Sequence, residues 1–184
     1  TRWLSDWSSD VCSSDLKTYK YKISPSLFAD VGIEKAECII DGLLADGYDQ
    51  VTYLTDYDTI VSQGKRNAFE KLIREYGSKD EVLICESMPA IELWFLLHFT
   101  YTTREFPNCT QVERQLKRYL PEYEKRKSFL EKKDWFEEMV KGETYAIERA
   151  GRLLQQLVEG GVGTHFPFSK LPDALREFDR QKGD

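Results

Sequence analysis

No run of this 184-residue sequence approaches the eighteen or so apolar residues that a membrane-spanning helix needs. Ile91 to Phe99 is about half that length and is interrupted by Glu92. The first residues lack the charged, apolar and small-residue succession of a secretory signal. Cysteine is scarce, and Cys12, Cys38, Cys85 and Cys109 are scattered without paired spacing, which argues against a zinc ribbon or a disulfide framework. These absences predict a cytoplasmic protein with no membrane contact. Positive charge is not in excess either. A net charge of -6 gives no global attraction to nucleic acid, so any such binding must come from a local basic surface. What the chain does have is 41% hydrophobic and 13% aromatic residues, enough to bury a core in one domain of ordinary size.

Residues 1–16 stand apart, dominated by Ser, Asp and Trp, with the near-repeat Ser8-Ser9-Asp10-Val11 and Ser13-Ser14-Asp15-Leu16 and no periodicity. They resemble translated adapter sequence fused to a reading frame whose own beginning is missing. The alternative is a disordered polar leader. From Lys17 onward strands and helices alternate. Tyr19 to Ser24 and Val51 to Thr55 have strand character, and Glu81 to Cys85 is a short apolar strand. Apolar residues at helical spacing predict helices over Ile33 to Ala45, ended by Gly47, over Asn67 to Tyr76, and from Pro89 to Phe99. This alternation predicts an α/β core over residues 17–108, with a mainly parallel sheet flanked by helices. Residues 109–184 read as a helical C-terminal part packing on that core, with helices over Thr110 to Tyr119, Lys133 to Glu159 and Leu171 to Gln181.

Three groups of residues could carry chemistry. Asp56 and Asp58 close the second strand, and in extended backbone residues two apart share a face. Such a pair at the carboxyl edge of a parallel sheet can hold one divalent ion with water completing its shell. A plain turn is the alternative. Glu92 and His98 lie inside a run that is apolar on most sides, so each belongs to a site or needs a buried partner. Glu92 also suits the positive end of a helix, and His98 also reads as a core histidine. Glu86, just beyond the third strand, is at the edge that would face the aspartates. The third group is basic. From Gln111 to Lys133 eight basic residues, among them Arg114, Lys117, Arg118, Lys125, Arg126 and Lys127, face four acidic ones, with Tyr119, Tyr123 and Phe129 interleaved. Cations for phosphates and rings for bases make a nucleic-acid surface. A solvated helical face paired at i,i+4, as Glu122 with Arg126, is the bland reading.

Ser87-Met88-Pro89-Ala90-Ile91-Glu92-Leu93-Trp94-Phe95-Leu96-Leu97-His98-Phe99 resembles the Ser-Asn-Pro-x-Phe-Glu-Leu-Trp-Leu-Leu-Leu-His-Phe signature of RloB-like proteins, and Leu54-Thr55-Asp56-Tyr57-Asp58 resembles that family's strand-end Asp-x-Asp. The resemblance implies a Toprim-like core and a metal-dependent nuclease of bacterial defence against phage, encoded beside an ATPase and causing abortive infection. It implies Mg2+ or Mn2+ held by Asp56 and Asp58, with Glu92, His98 and Glu86 as candidate catalytic residues and DNA or RNA as substrate. Met88 replaces the signature's Asn, and no Gly-x-x-Thr-Glu loop precedes Tyr19, so the glutamate of that loop has no counterpart. A non-catalytic nucleic-acid-binding or sensor subunit of the same system is the second reading. A phosphoacceptor receiver domain is a remoter third, disfavoured because helices replace the strand-helix series after Phe99.

Overall fold

The computed structural model describes Lys22, residues 32–130 and residues 132–182. The strand expected over Tyr19 to Ser24 and the segment 1–16 lie outside the described residues, Lys22 excepted.

Helix α1 (Ile33–Ala45) buries Ile33, Ala36 and Ile40, the apolar face that the spacing indicated, and Gly47 beyond it takes φ +83°, a left-handed turn that a side chain would disfavour. Strand β1 (Val51–Asp56) leads directly into α2 (Tyr57–Ser62), and α3 (Arg66–Tyr76) packs Phe69, Leu72 and Tyr76 beneath it. Strand β2 (Val82–Met88) runs three residues beyond the expected Cys85, so α4 (Glu92–Phe99) starts only after the turn at Pro89, Ala90 and Ile91. Helices α5 (Cys109–Leu116), α6 (Lys127–Leu130), α7 (Lys133–Lys141) and α8 (Glu143–Glu159) follow. The two-residue β3 (Phe168–Ser169) precedes α9 (Leu171–Lys182).

The single helix expected from Lys133 to Glu159 is thus two, broken at Gly142. The reason is tertiary. A Cβ at Gly142 would lie 3.0 Å from the His98 carbonyl oxygen, so the chain passes close against α4 where a side chain is missing.

β1 and β2 pair in parallel from Val51 opposite Val82 to Asp56 opposite Ser87, and β3 joins β2 antiparallel through Ser87 with Ser169 and Met88 with Phe168. The sheet is open, with strand order β1-β2-β3. This corrects the expected fold class. The described residues are 57% helix and 10% strand, so the protein is predominantly helical, with a small sheet of mixed direction in place of a Toprim-like mainly parallel core. Parallel pairing ends because the chain after β2 turns at once into helix, and the amphipathic segments that follow bury their faces on one another.

Two apolar clusters result. One gathers α1, β1, α2 and α3 around Ile40, Phe69 and Leu72. The other surrounds α4, whose Leu93, Leu96 and Leu97 are completely buried against Val112, Leu116, Ala146, Ala150 and Leu153. A helix apolar all round must be central, because no polar face exists to turn to water. What reads as a C-terminal addition is therefore the wrapping of α4. Arg149 of α8 completes that helix's end by donating to the Leu97 and His98 carbonyls, at 2.6 and 3.0 Å, two of the acceptors that a helix C-terminus leaves open.

Candidate functional site

At the carboxyl ends of β1 and β2 the chain brings together Asp56, Asp58, Glu92, Tyr123 and Lys125. Asp56 ends its strand at φ -85°, ψ 114°, and Tyr57 begins a helix, so Asp58 sits in a first helical turn and does not continue the extended backbone. The two aspartates consequently serve different segments. Asp56 Oδ1 accepts the Ile91 N–H at 3.0 Å, at the entrance to α4. Asp58 Oδ2 accepts the Cys109 N–H at 2.9 Å, at the start of α5, and Asp58 Oδ1 accepts the Thr59 hydroxyl at 3.3 Å. Each carboxylate faces the positive end of a helix, where negative charge is favoured. Burial nevertheless raises the Asp58 pKa; the Cys109 N–H bond opposes this and the nearby Asp56 adds to it.

Glu92 is 1% exposed and belongs to the same cluster. Its Oε1 takes the Tyr123 hydroxyl and the Lys125 ammonium, both at 3.1 Å, while Lys125 also reaches Asp56 Oδ2 at 3.4 Å. Glu92 Oε2 is buried with no hydrogen-bond partner among the described residues. Burial pulls the Lys125 pKa down, but the Glu92 and Asp56 carboxylates outweigh it and hold the ammonium charged beyond the ordinary lysine range. Burial, then Glu92, pushes the Tyr123 phenol up, so it remains a donor. The Cys109 thiol is likewise raised, by burial and then by Asp58 and Glu92, and stays protonated.

A magnesium or manganese ion takes hard oxygen donors and commonly uses one or two carboxylates with water for the rest. Asp56 and Glu92 suit such an ion, since both already face one cation, the Lys125 ammonium, and one buried oxygen of Glu92 is open. Among the described residues no group of three or more His, Cys, Asp or Glu is placed to hold a metal. Asp56 and Asp58, the pair expected from the sequence, each accept a backbone amide, from Ile91 and Cys109, and of the two Asp56 shares the Lys125 ammonium with Glu92.

The other candidate residues lie elsewhere. His98 points its Nδ1 at the Trp94 carbonyl, 2.9 Å away, and sets its ring edge-on to the Trp94 indole. Burial lowers its pKa, the Trp94 bond opposes this, and Arg149 reinforces it. The unfolded chain therefore takes up a proton that native His98 resists. Stability should fall as pH drops through the ordinary histidine value of about 6.5, levelling off below the depressed native value. His98→Phe is expected to flatten urea-derived stability between about pH 7 and pH 5, and an unchanged slope would exclude this residue as the cause. Glu86 is buried and salt-bridged to Lys170 at 2.6 Å.

The basic stretch is not one helical face, because α5 ends at Leu116 and turns occupy the chain to Arg126. That bend lets Lys125 fold back onto the carboxylates. Lys117 pairs with Glu113 at 2.8 Å, and Arg126 pairs with Glu124 instead of Glu122, at 3.6 Å. Arg114 and Arg118 are exposed, and the Lys127 side chain lies outside the described residues. Tyr123 and Phe129 are buried, and Tyr119 stacks on Phe99, so Tyr119 is the exposed ring of the three. Nothing local in the sequence pairs Tyr123 or Lys125 with Glu92. The signal available was the buried charge of Glu92, which requires a cation from somewhere.

A small mixed sheet with acidic and basic side chains gathered at its strand ends, carried by a predominantly helical chain, defines the class of protein. The family model described as RloB-like protein matches residues 27–169, most of the chain, and the protein belongs to the RloB-like family. That span includes the Asp56 strand end and the whole Ser87 to Phe99 signature. No curated protein and no solved structure matches the chain. No helix among the described residues is long and apolar enough to cross a membrane.

Proposed function

We propose that this RloB-like protein is a metal-dependent nuclease of a bacterial system that defends against phage by abortive infection, working beside an ATPase, with Asp56 and Glu92 as the ligands of a Mg2+- or Mn2+-type ion. The observation that supports this is the convergence of two carboxylates from separate segments on one cation, with a buried oxygen of Glu92 left open. Bound there, such an ion would polarise a phosphodiester and lower the pKa of a water. The chain's own groups have definable tasks. The Ile91 N–H fixes Asp56, and Tyr123 fixes Glu92. Lys125, released from the carboxylates, keeps its positive charge beside the site for a phosphate oxygen. Exposed Arg114, Lys117, Arg118 and Arg126 suit the DNA or RNA backbone, by phosphate contacts that weaken with salt.

Asp56→Ala together with Asp58→Ala, in the full-length protein, is expected to lower divalent-dependent nuclease activity by about a hundredfold or more and to remove protection against phage. Because both aspartates also face helix starts, Asp56→Asn is the companion variant. It retains an acceptor for the Ile91 N–H but loses the charge, and circular dichroism reports whether the fold persists. Intact nuclease activity and intact protection in both variants would overturn the enzyme reading. Lys125 itself favours the second reading, a non-catalytic nucleic-acid-binding or sensor subunit, since its ammonium already neutralises the carboxylates. Protection that survives these variants but fails with Arg114→Glu and Arg118→Glu would support it.

A further inference from the structure

The chain that follows α5 forms a strap along one side of α4. Phe99 comes seven residues after Glu92, within about 20° of two full helical turns, so the two share a side and lie about 10 Å apart along the axis. Tyr119 stacks on Phe99, with ring centroids 5.4 Å apart and planes 13° from parallel. Tyr123 packs edge-on to Phe95 and gives its hydroxyl to Glu92, and Lys125 then reaches Glu92 and Asp56. Residues 119–125 therefore run back from the end of α4 to the carboxylate cluster.

The strap buries one of its rings and offers the other. Tyr123 is 1% exposed, whereas Tyr119 is 43% exposed. One face of the Tyr119 ring lies on Phe99, so the surface it leaves to solvent is the other face and the edge. Phe99 packs against the apolar cluster around α4, which holds the pair from beneath. The charges beside this ring are mainly positive. Between Lys117 and Arg126 four cations stand against Glu122 and Glu124. Arg118 next to the ring and Arg114 one turn earlier are exposed, and neither has an acidic partner among the described residues. An open aromatic face flanked by cations suits single-stranded nucleic acid, a base on the ring and phosphates on the charges. A duplex does not fit it, because its stacked pairs cover one another's faces and present only edges.

We propose that the strap binds a single strand of DNA or RNA, with one base stacked on the open face of Tyr119, the neighbouring phosphates on Arg114 and Arg118, and the strand directed towards the Asp56–Glu92 cluster. This rests on the nucleic-acid reading above and narrows its substrate to single strands. The distance of about 10 Å from Phe99 to Glu92 equals roughly three nucleotides at the rise of stacked bases. A base held on Tyr119 thus sets which phosphate arrives at the cluster, and Tyr119 is a positioning residue that touches no reacting atom.

Fluorescence anisotropy of the full chain tests it, in EDTA to prevent cleavage, with labelled oligo(dT), oligo(U), a blunt DNA duplex and an abasic deoxyribose-phosphate strand of equal length. The tighter of oligo(dT) and oligo(U) names the strand chemistry, and it is expected to bind about fivefold or more tightly than the duplex and the abasic strand. Tyr119→Ala should weaken that oligonucleotide by about fivefold or more and leave the abasic strand unchanged, while Tyr119→Phe keeps the preference. Arg118→Glu should weaken every probe. If circular dichroism shows that Tyr119→Ala does not fold, the preference of the unaltered protein over the abasic strand still decides. Equal binding of the abasic strand, or of the duplex, overturns the inference and leaves backbone contact by the arginines standing. So does a folded Tyr119→Ala variant that binds as the unaltered protein does. No binding of any probe overturns both.

Discussion

Truncating Leu97 to alanine is expected to lower the unfolding free energy by about 2–5 kcal/mol, the largest single effect anticipated outside the charged cluster. Leu97 is completely buried, as are Leu93 and Leu96 beside it. Its helix carries apolar residues on every side and is enclosed by α5 and α8, so the void left by the missing methine and two methyl carbons has rigid walls. Ala146 and Ala150, themselves fully buried, cannot reach in to fill it. Urea denaturation measures the difference directly, and a cost under about 1 kcal/mol would mean that α4 is not the enclosed centre described here.

Lys125→Met is the second. It leaves the buried Glu92 charge with Tyr123 as its remaining hydrogen-bond partner among the described residues, an uncompensated charge of the kind that destabilises strongly. The Lys125 side chain is 37% exposed, however, so water screens part of the interaction and the expected loss is about 1–3 kcal/mol, below the full penalty of a wholly buried pair. Glu92→Gln in the Lys125→Met background removes the stranded charge while keeping an acceptor for Tyr123. It should recover much of the loss, giving a coupling of about 0.5–3 kcal/mol in a double-mutant cycle. Strict additivity of the two substitutions would show that the salt bridge contributes nothing.

The two predictions address features of different legibility. The apolar run Leu93 to Phe99 announces a buried helix by composition alone, and the face of α1 at Ala36 and Ile40 is readable from spacing, because a 3.6-residue period admits few other conformations. The sheet was less legible. β1 and β2 appear as short apolar runs, and from these a larger parallel sheet follows by analogy with α/β proteins in general. Among the described residues only Phe168 and Ser169 add a third strand, and two residues carry no periodicity to detect. The break at Gly142 was also invisible, since a lone glycine in a helical pattern marks a boundary only when another element presses against it.

The site divides in the same way. Asp56 and Glu92 stood out as acids where the surrounding residues are apolar or strand-forming, and the family signature covers both. Their joint use of Lys125 did not, since the sequence offers eight basic residues between Gln111 and Lys133 and no means of choosing among them. By itself, then, the amino-acid order determined local matters: that the periodic segments are helical, which segment is most deeply buried, and which charges would need partners there. Tertiary structure decided the pairings, turning the chain at Tyr57 so that the two aspartates accept from the starts of different helices and bending it after Leu116 so that Lys125 meets Glu92. The physical reason is range: backbone propensity and hydrophobic period act over a few residues, whereas compensating a buried charge depends on which distant segment the packed core brings within about 3–4 Å.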